Sequence, residues 1–168
     1  MTMPAQPPND LHRFFAREDL AATAEQLLAD RRAGDPEAVK RGILTQQAAD
    51  QRLRVATVVA ATMRAIVDRS APADPEQIFV DSGAREGAAW SEIRTDLAQA
   101  FEKAKAAALK PGAPEALEQR ALHVGALASW FQPYRTGGNT PMILIAAAIE
   151  QSRSEERRVG KECRSRWS

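Results

Sequence analysis

Residues 43–69, "ILTQQAADQRLRVATVVAATMRAIVDR", decide the fold class. Ala49, Leu53, Ala56, Ala60, Met63 and Val67 recur in steps of three and four, the spacing that brings side chains onto one side of an α-helix. Thr45 stands where a hydroxyl accepts from a first-turn amide, so it marks the N-terminus. Leu53 and Met63 are expected on one buried side, with the alanines between them letting another helix approach closely.

The expected partner lies upstream. Leu20, Ala24, Leu27 and Leu28 fall at helical spacing, with Glu18 and Asp19 near the start and Arg31 and Arg32 near the end, as the helix dipole favours. This spacing predicts a helix over 14–33. "GDPEAVKRG" (34–42) then reads as a stop and a restart, with Gly34 as a possible cap, Asp35 as N-cap, Pro36 at the first position and Gly42 as terminator. Two helices joined by so short a connector form an antiparallel hairpin over 14–69.

Downstream, "SAPADPEQ" (70–77) separates the hairpin from a second half at 76–152, and "IFVD" (78–81) reads as extended chain. Ile93, Leu97, Phe101, Ala104 and Ala108 predict a helix over 88–109, ended by "KPG". Leu117, Ala121, Val124, Leu127, Ala128 and Phe131 predict another, stopped by Pro133. In "NTPMILIAAAIEQ" (139–151), Thr140 and Pro141 open a last one. The expected fold is all-α, a small bundle of about five helices beginning with the hairpin. It forms a single domain over 11–152, after a Pro-rich, polar and disordered lead-in at 1–10.

The final sixteen residues, "RSEERRVGKECRSRWS" (153–168), hold six basic and three acidic side chains and the only cysteine, Cys163, with no apolar period. Over its whole length this stretch resembles the conceptual translation of a short-read sequencing adapter. It is therefore set apart from the fold as an artefactual tail, and the natural chain is expected to be cut near Ser152. Without the tail the basic count falls from 23 to 17 and the acidic count from 22 to 19, so the net charge moves from +1 to −2. Neither a strongly basic character nor a thiol then remains to explain. "MTMPAQPPND" carries no leader pattern and no apolar run is long enough for a bilayer, so a cytoplasmic protein without a membrane partner is expected.

Candidate sites are few. His12 and His123 have no second ligand at metal spacing, and neither a metal nor a cofactor is expected. "YRTGGNTP" (134–141) enters a predicted helix through a Gly-rich loop, making Arg135, Gly137, Gly138 and Thr140 a possible anion site; a turn with a capping Thr accounts for the same residues. Residues 30–69 carry eight basic and five acidic side chains. Arg52, Arg54 and Arg64 are the candidate nucleic-acid contacts there, against a solvated face of ion pairs. "WFQPYR" (130–135) concentrates aromatics in a chain poor in them, making Trp130 and Tyr134 either a partner surface or the closure of the core.

"VKRGILTQQAADQRLRVATVVAATMRAIV" (39–67) resembles small uncharacterised proteins of bacterial phages and prophages: a helix ending in basic residues and Gly, an apolar pair with Thr, an Ala-Asp-x-Arg step, then an apolar helix. The resemblance implies association with a mobile element and assigns no activity and no site residue. With no convergent nucleophile, base and oxyanion donors, the function expected is that of a non-enzymatic helical interaction or assembly protein with a protein partner. The alternative is a helical nucleic-acid-binding accessory protein using the Arg-bearing hairpin, and an enzyme using the Gly137–Thr140 loop for a phosphorylated ligand comes third.

Overall fold

The computed structural model of the chain describes residues 14–68, 87–132, 146, 149–150 and 152–157. Among them four helices are complete: α1 (Arg17–Lys40), α2 (Gln46–Val67), α3 (Trp90–Ala108) and α4 (Glu115–Trp130). Residues 146, 149–150 and 152–157 are also helical, and no strand occurs among the described residues. The fold is an all-α bundle opened by the α1–α2 hairpin. "SAPADPEQ", "IFVD", Thr140 and Pro141 lie outside the described residues.

α1 corrects the expected break. It runs unbroken through Gly34, Asp35 and Pro36 for 24 residues. Pro36 cannot donate a backbone bond inside the helix, a defect that ordinarily favours termination. Tertiary pairing offsets it, because Asp35 is buried against α2 with its carboxylate 3.2 Å from Arg52. Gly34 takes no positive φ; the left-handed glycine is instead Gly42, just past the end of α1, with φ 69°. There the amide of Gly42 donates to Val39 O (2.9 Å) and that of Ile43 to Ala38 O (2.9 Å), closing the helix as a left-handed glycine allows. The Thr45 hydroxyl then accepts from the Ala48 amide at 3.2 Å and starts α2.

α2 is buried around more than one stripe. Val55, Val58, Val59, Ala60, Met63 and Ile66 join Leu20, Ala21 and Ala24 of α1, Ile93 and Leu97 of α3, Leu127 of α4 and Phe131 just past its end in one core. The expectation for Met63 holds, at 0% exposure. Leu53 is only half-buried and sits outside that core, while Val55 takes the interior place. Of the leucines expected opposite, Leu20 is fully buried, whereas Leu27 and Leu28 pack on the margin. One large side chain such as Met63 or Leu127 contributes about 2 kcal/mol through removal of its apolar surface from water.

At the far end, the Arg17 guanidinium forms a two-pronged pair with Glu150 (2.6 and 2.8 Å) and lies 5.8 Å from the Trp130 ring centroid. Residues 152–157 are helical and all exposed. These six residues add nothing to the core.

Candidate functional site

α1 packs along both α2 and α4, and α3 packs chiefly on α4. The α1 and α3 helices are joined by charge. Arg31 of α1 is buried at 7% exposure; its Nη2 donates to Asp96 Oδ2 of α3 at 2.7 Å and its Nη1 to the Arg52 carbonyl of α2 at 2.6 Å. Arg52 in turn pairs with Asp35. One guanidinium thus ties three helices, with a fork of donors that only arginine supplies. Burial pushes the Asp96 carboxyl above the ordinary aspartate range, against the lowering pull of Arg31.

A second clamp lies where α3 begins. The Glu92 Oε2 accepts from the Ala89 amide at 2.8 Å, satisfying a first-turn donor of α3, while Arg54 Nη2 donates to Glu92 Oε1 at 2.6 Å and Nη1 to the Gly87 carbonyl. Those bonds, Arg54 first and the Ala89 amide second, hold Glu92 below the ordinary glutamate range. A third clamp joins Asp30 of α1 to Arg120 of α4. At Asp30 burial raises the carboxyl, and the bonds from Arg120 and Gln26 outweigh it, leaving a net lowering.

The first and third clamps border a cleft of about 1090 Å³ between α1 and the α3–α4 pair. Its long wall is small and apolar: Ala100, Ala104 and Ala107 of α3 face Leu27 of α1 and Leu117 of α4. Alanines on a helix wall leave room for another backbone to come close. One end is charged, with Arg31, Asp35, Arg52 and Asp96. Two residues at the cleft, Asp35 and Glu102, each keep one carboxylate oxygen (Oδ2 and Oε1) buried from solvent and without a hydrogen-bond partner among the described residues. A smaller groove of about 460 Å³ between α1 and α4 adjoins it through Leu27, Arg120 and Val124 and includes His123. The imidazole of His123 meets the Phe15 ring edge-on at 4.8 Å between centroids.

The sequence candidates distribute differently. Arg52, Arg54 and Arg64 each face a carboxylate, Asp35, Glu92 and Glu25 respectively. They do not converge, since Arg52 and Arg64 turn toward α1 and Arg54 toward α3. Trp130 packs on the core margin beneath Arg17, next to the fully buried Phe131. His12, Tyr134, Arg135, Gly137, Gly138 and Thr140 lie outside the described residues. No group of three or more His, Cys, Asp or Glu suited to a metal ion occurs among the described residues, and no helix there is long and apolar enough to cross a membrane. The cleft itself was missed. Its only signal in the sequence is the Ala100, Ala104, Ala107 series at helical spacing, which reads equally as a packed helix face.

Compared with protein-family models, with curated proteins and with solved structures, the chain finds no match in any of the three.

Proposed function

We propose that this chain is a non-enzymatic interaction protein whose contact surface is the cleft between α1 and the α3–α4 pair, and that its partner is another protein. The observation that carries this reading is the cleft's construction: an alanine wall open to a close-approaching backbone, ended by charges that are committed to one another. Groups held in mutual ion pairs suit holding a shape, and catalysis asks instead for a base and nucleophile poised toward a reacting atom. The resemblance of residues 39–67 to phage and prophage proteins supports a mobile-element origin within the same reading. The nucleic-acid alternative draws no support from the hairpin, because each of its three candidate arginines faces a carboxylate and net attraction to phosphate is reduced accordingly.

Photo-crosslinking in the producing cell tests the reading. A photoreactive side chain at Gln99 or Ala107, on the cleft, is expected to give one discrete adduct, while the same group at Lys105 or Glu118, exposed and off the cleft, gives none. Equal adducts from both sets of positions, or none from either, would contradict it.

A further inference from the structure

We propose that the tip of the α3–α4 pair, Gln99–Arg120, is an arm that opens and re-forms while the rest of the bundle stays folded.

The distribution of burial carries this. α3 buries Ile93, Leu97 and Ala98, all in its first half, and α4 buries residues only from Ala121 onward. From Gln99 through the turn to Arg120 no residue is buried. Phe101 and Leu117 are partly covered, yet they belong neither to the core nor to the side chains packed against it, and Leu109 is 73% exposed. Closing the arm therefore removes little apolar surface from water beside what Leu97, Val124 and Leu127 remove at its roots.

The ties to the rest of the molecule also stop at the roots. The Arg31–Asp96 and Arg54–Glu92 clamps hold α3 before the arm begins. Among the described residues, the ion pair from the arm to α1 is Arg120 with Asp30, both partly exposed, at the last residue of the arm. Farther out the cleft lies between the arm and α1, so α1 does not cover it. At the turn, Gly112 is left-handed with φ 75°, and Pro111 and Pro114 on either side of it donate no backbone bond. Two helix ends meet there, and fraying starts at such ends.

Re-forming is easy for a different reason. Ala100, Ala104, Ala106, Ala107 and Ala108 favour helix without help from packing. Both halves of the arm continue helices already anchored at buried roots, so they propagate without a nucleation cost. A segment with few buried contacts on an anchored base is what a low-energy local opening requires. Since Ala100, Ala104, Ala107 and Leu117 form one side of the cleft, that wall parts and returns without unfolding of the core. This holds whether or not a partner uses the cleft.

Native-state hydrogen exchange of the full chain, followed residue by residue, tests the proposal. Corrected for intrinsic rates, the amides of Glu102–Ala107 are expected to exchange about a hundredfold faster, or more, than those of Val58–Met63. Their rates are expected to respond weakly to added denaturant, because little surface is exposed, while the α2 rates climb steeply. Met63→Ala separates local from global opening, since Met63 is fully buried in the core and lies outside the arm. It is expected to speed α2 exchange about thirtyfold or more and to leave the arm within about twofold of wild type. If Met63→Ala folds poorly, Ile66→Val makes the same comparison with a smaller factor, and the denaturant response needs no variant. Arm amides as protected as those of α2, or arm rates that rise in step with α2 rates in the variant or in denaturant, would overturn the proposal.

Discussion

Arg31 and Asp96, 65 residues apart in sequence, meet with 2.7 Å between Nη2 and Oδ2, their side chains only 7% and 13% exposed. Removing one partner strands the other charge in the interior. Arg31→Met is expected to cost about 3–5 kcal/mol, whereas Arg31→Met with Asp96→Leu recovers most of that loss, because a well-packed apolar pair avoids the desolvation of both ions. Chemical denaturation of the three chains measures it. A loss below about 1 kcal/mol for Arg31→Met would show that the pair is hydrated in solution.

The two clamp carboxylates titrate with opposite sign. Glu92 is held below its ordinary range, so its contribution is fully present above the unfolded glutamate value and is lost as pH falls through the folded one. Asp96 is held above its range, so the contribution it makes while protonated is present below the unfolded aspartate value and is lost as pH rises through the raised folded value. Glu92→Gln is therefore expected to lower stability at pH 7 and to narrow its deficit toward pH 3. Asp96→Asn is expected to gain on wild type as pH rises from 3 toward neutrality. Denaturation midpoints at both pH values decide, and parallel curves for either variant would contradict the corresponding assignment.

Gly34→Ala follows from the continuity of α1. Gly34 takes no positive φ, and an added Cβ meets nothing within 4 Å, so alanine is expected to stabilise by about 0.5–1 kcal/mol through helix propensity and a less free unfolded chain. If residue 34 instead ended the helix in a left-handed cap, the same change would destabilise. The thermal midpoint reports the sign.

Met63→Ala is expected to cost about 2–5 kcal/mol, from a fully buried position, and Leu53→Ala only about 1 kcal/mol, from a half-buried one. Because α2 finds its partners within the chain, midpoints of both variants and of wild type are expected to stay fixed over a hundredfold range of protein concentration. A midpoint that climbs with concentration would assign the α2 face to self-association.

What the sequence made legible follows the range of each interaction. Thr45 and Gly42 act within one turn of their own helix, so the cap and the stop between α1 and α2 read correctly from residue type. Gly34 and Pro36 carry equally strong local signals and misled, because Asp35 between them is anchored by Arg52 on another helix. Leu53 misled for a different reason. "RVATVVAATM" is apolar on nearly every side, so periodicity alone cannot choose between the Leu53 and Val55 faces, and the neighbouring helices decide. Arg31 with Asp96 and Arg54 with Glu92 join distant segments with no periodic trace. The cleft that the Arg31–Asp96 pair borders was therefore out of reach until the helices were placed.

The most direct test of the cleft as the contact surface is the yield of the Gln99 crosslink in a chain that also carries Ala104→Trp, with the thermal midpoint measured on the same chain. Indole in place of a methyl group fills the alanine wall where the partner backbone is to lie. The prediction is a midpoint within about 2 °C of wild type, equivalent to no more than about 1 kcal/mol for a domain of this size, and an adduct reduced at least tenfold. An undiminished adduct from the folded variant would contradict the claim that this cleft is where the protein is bound.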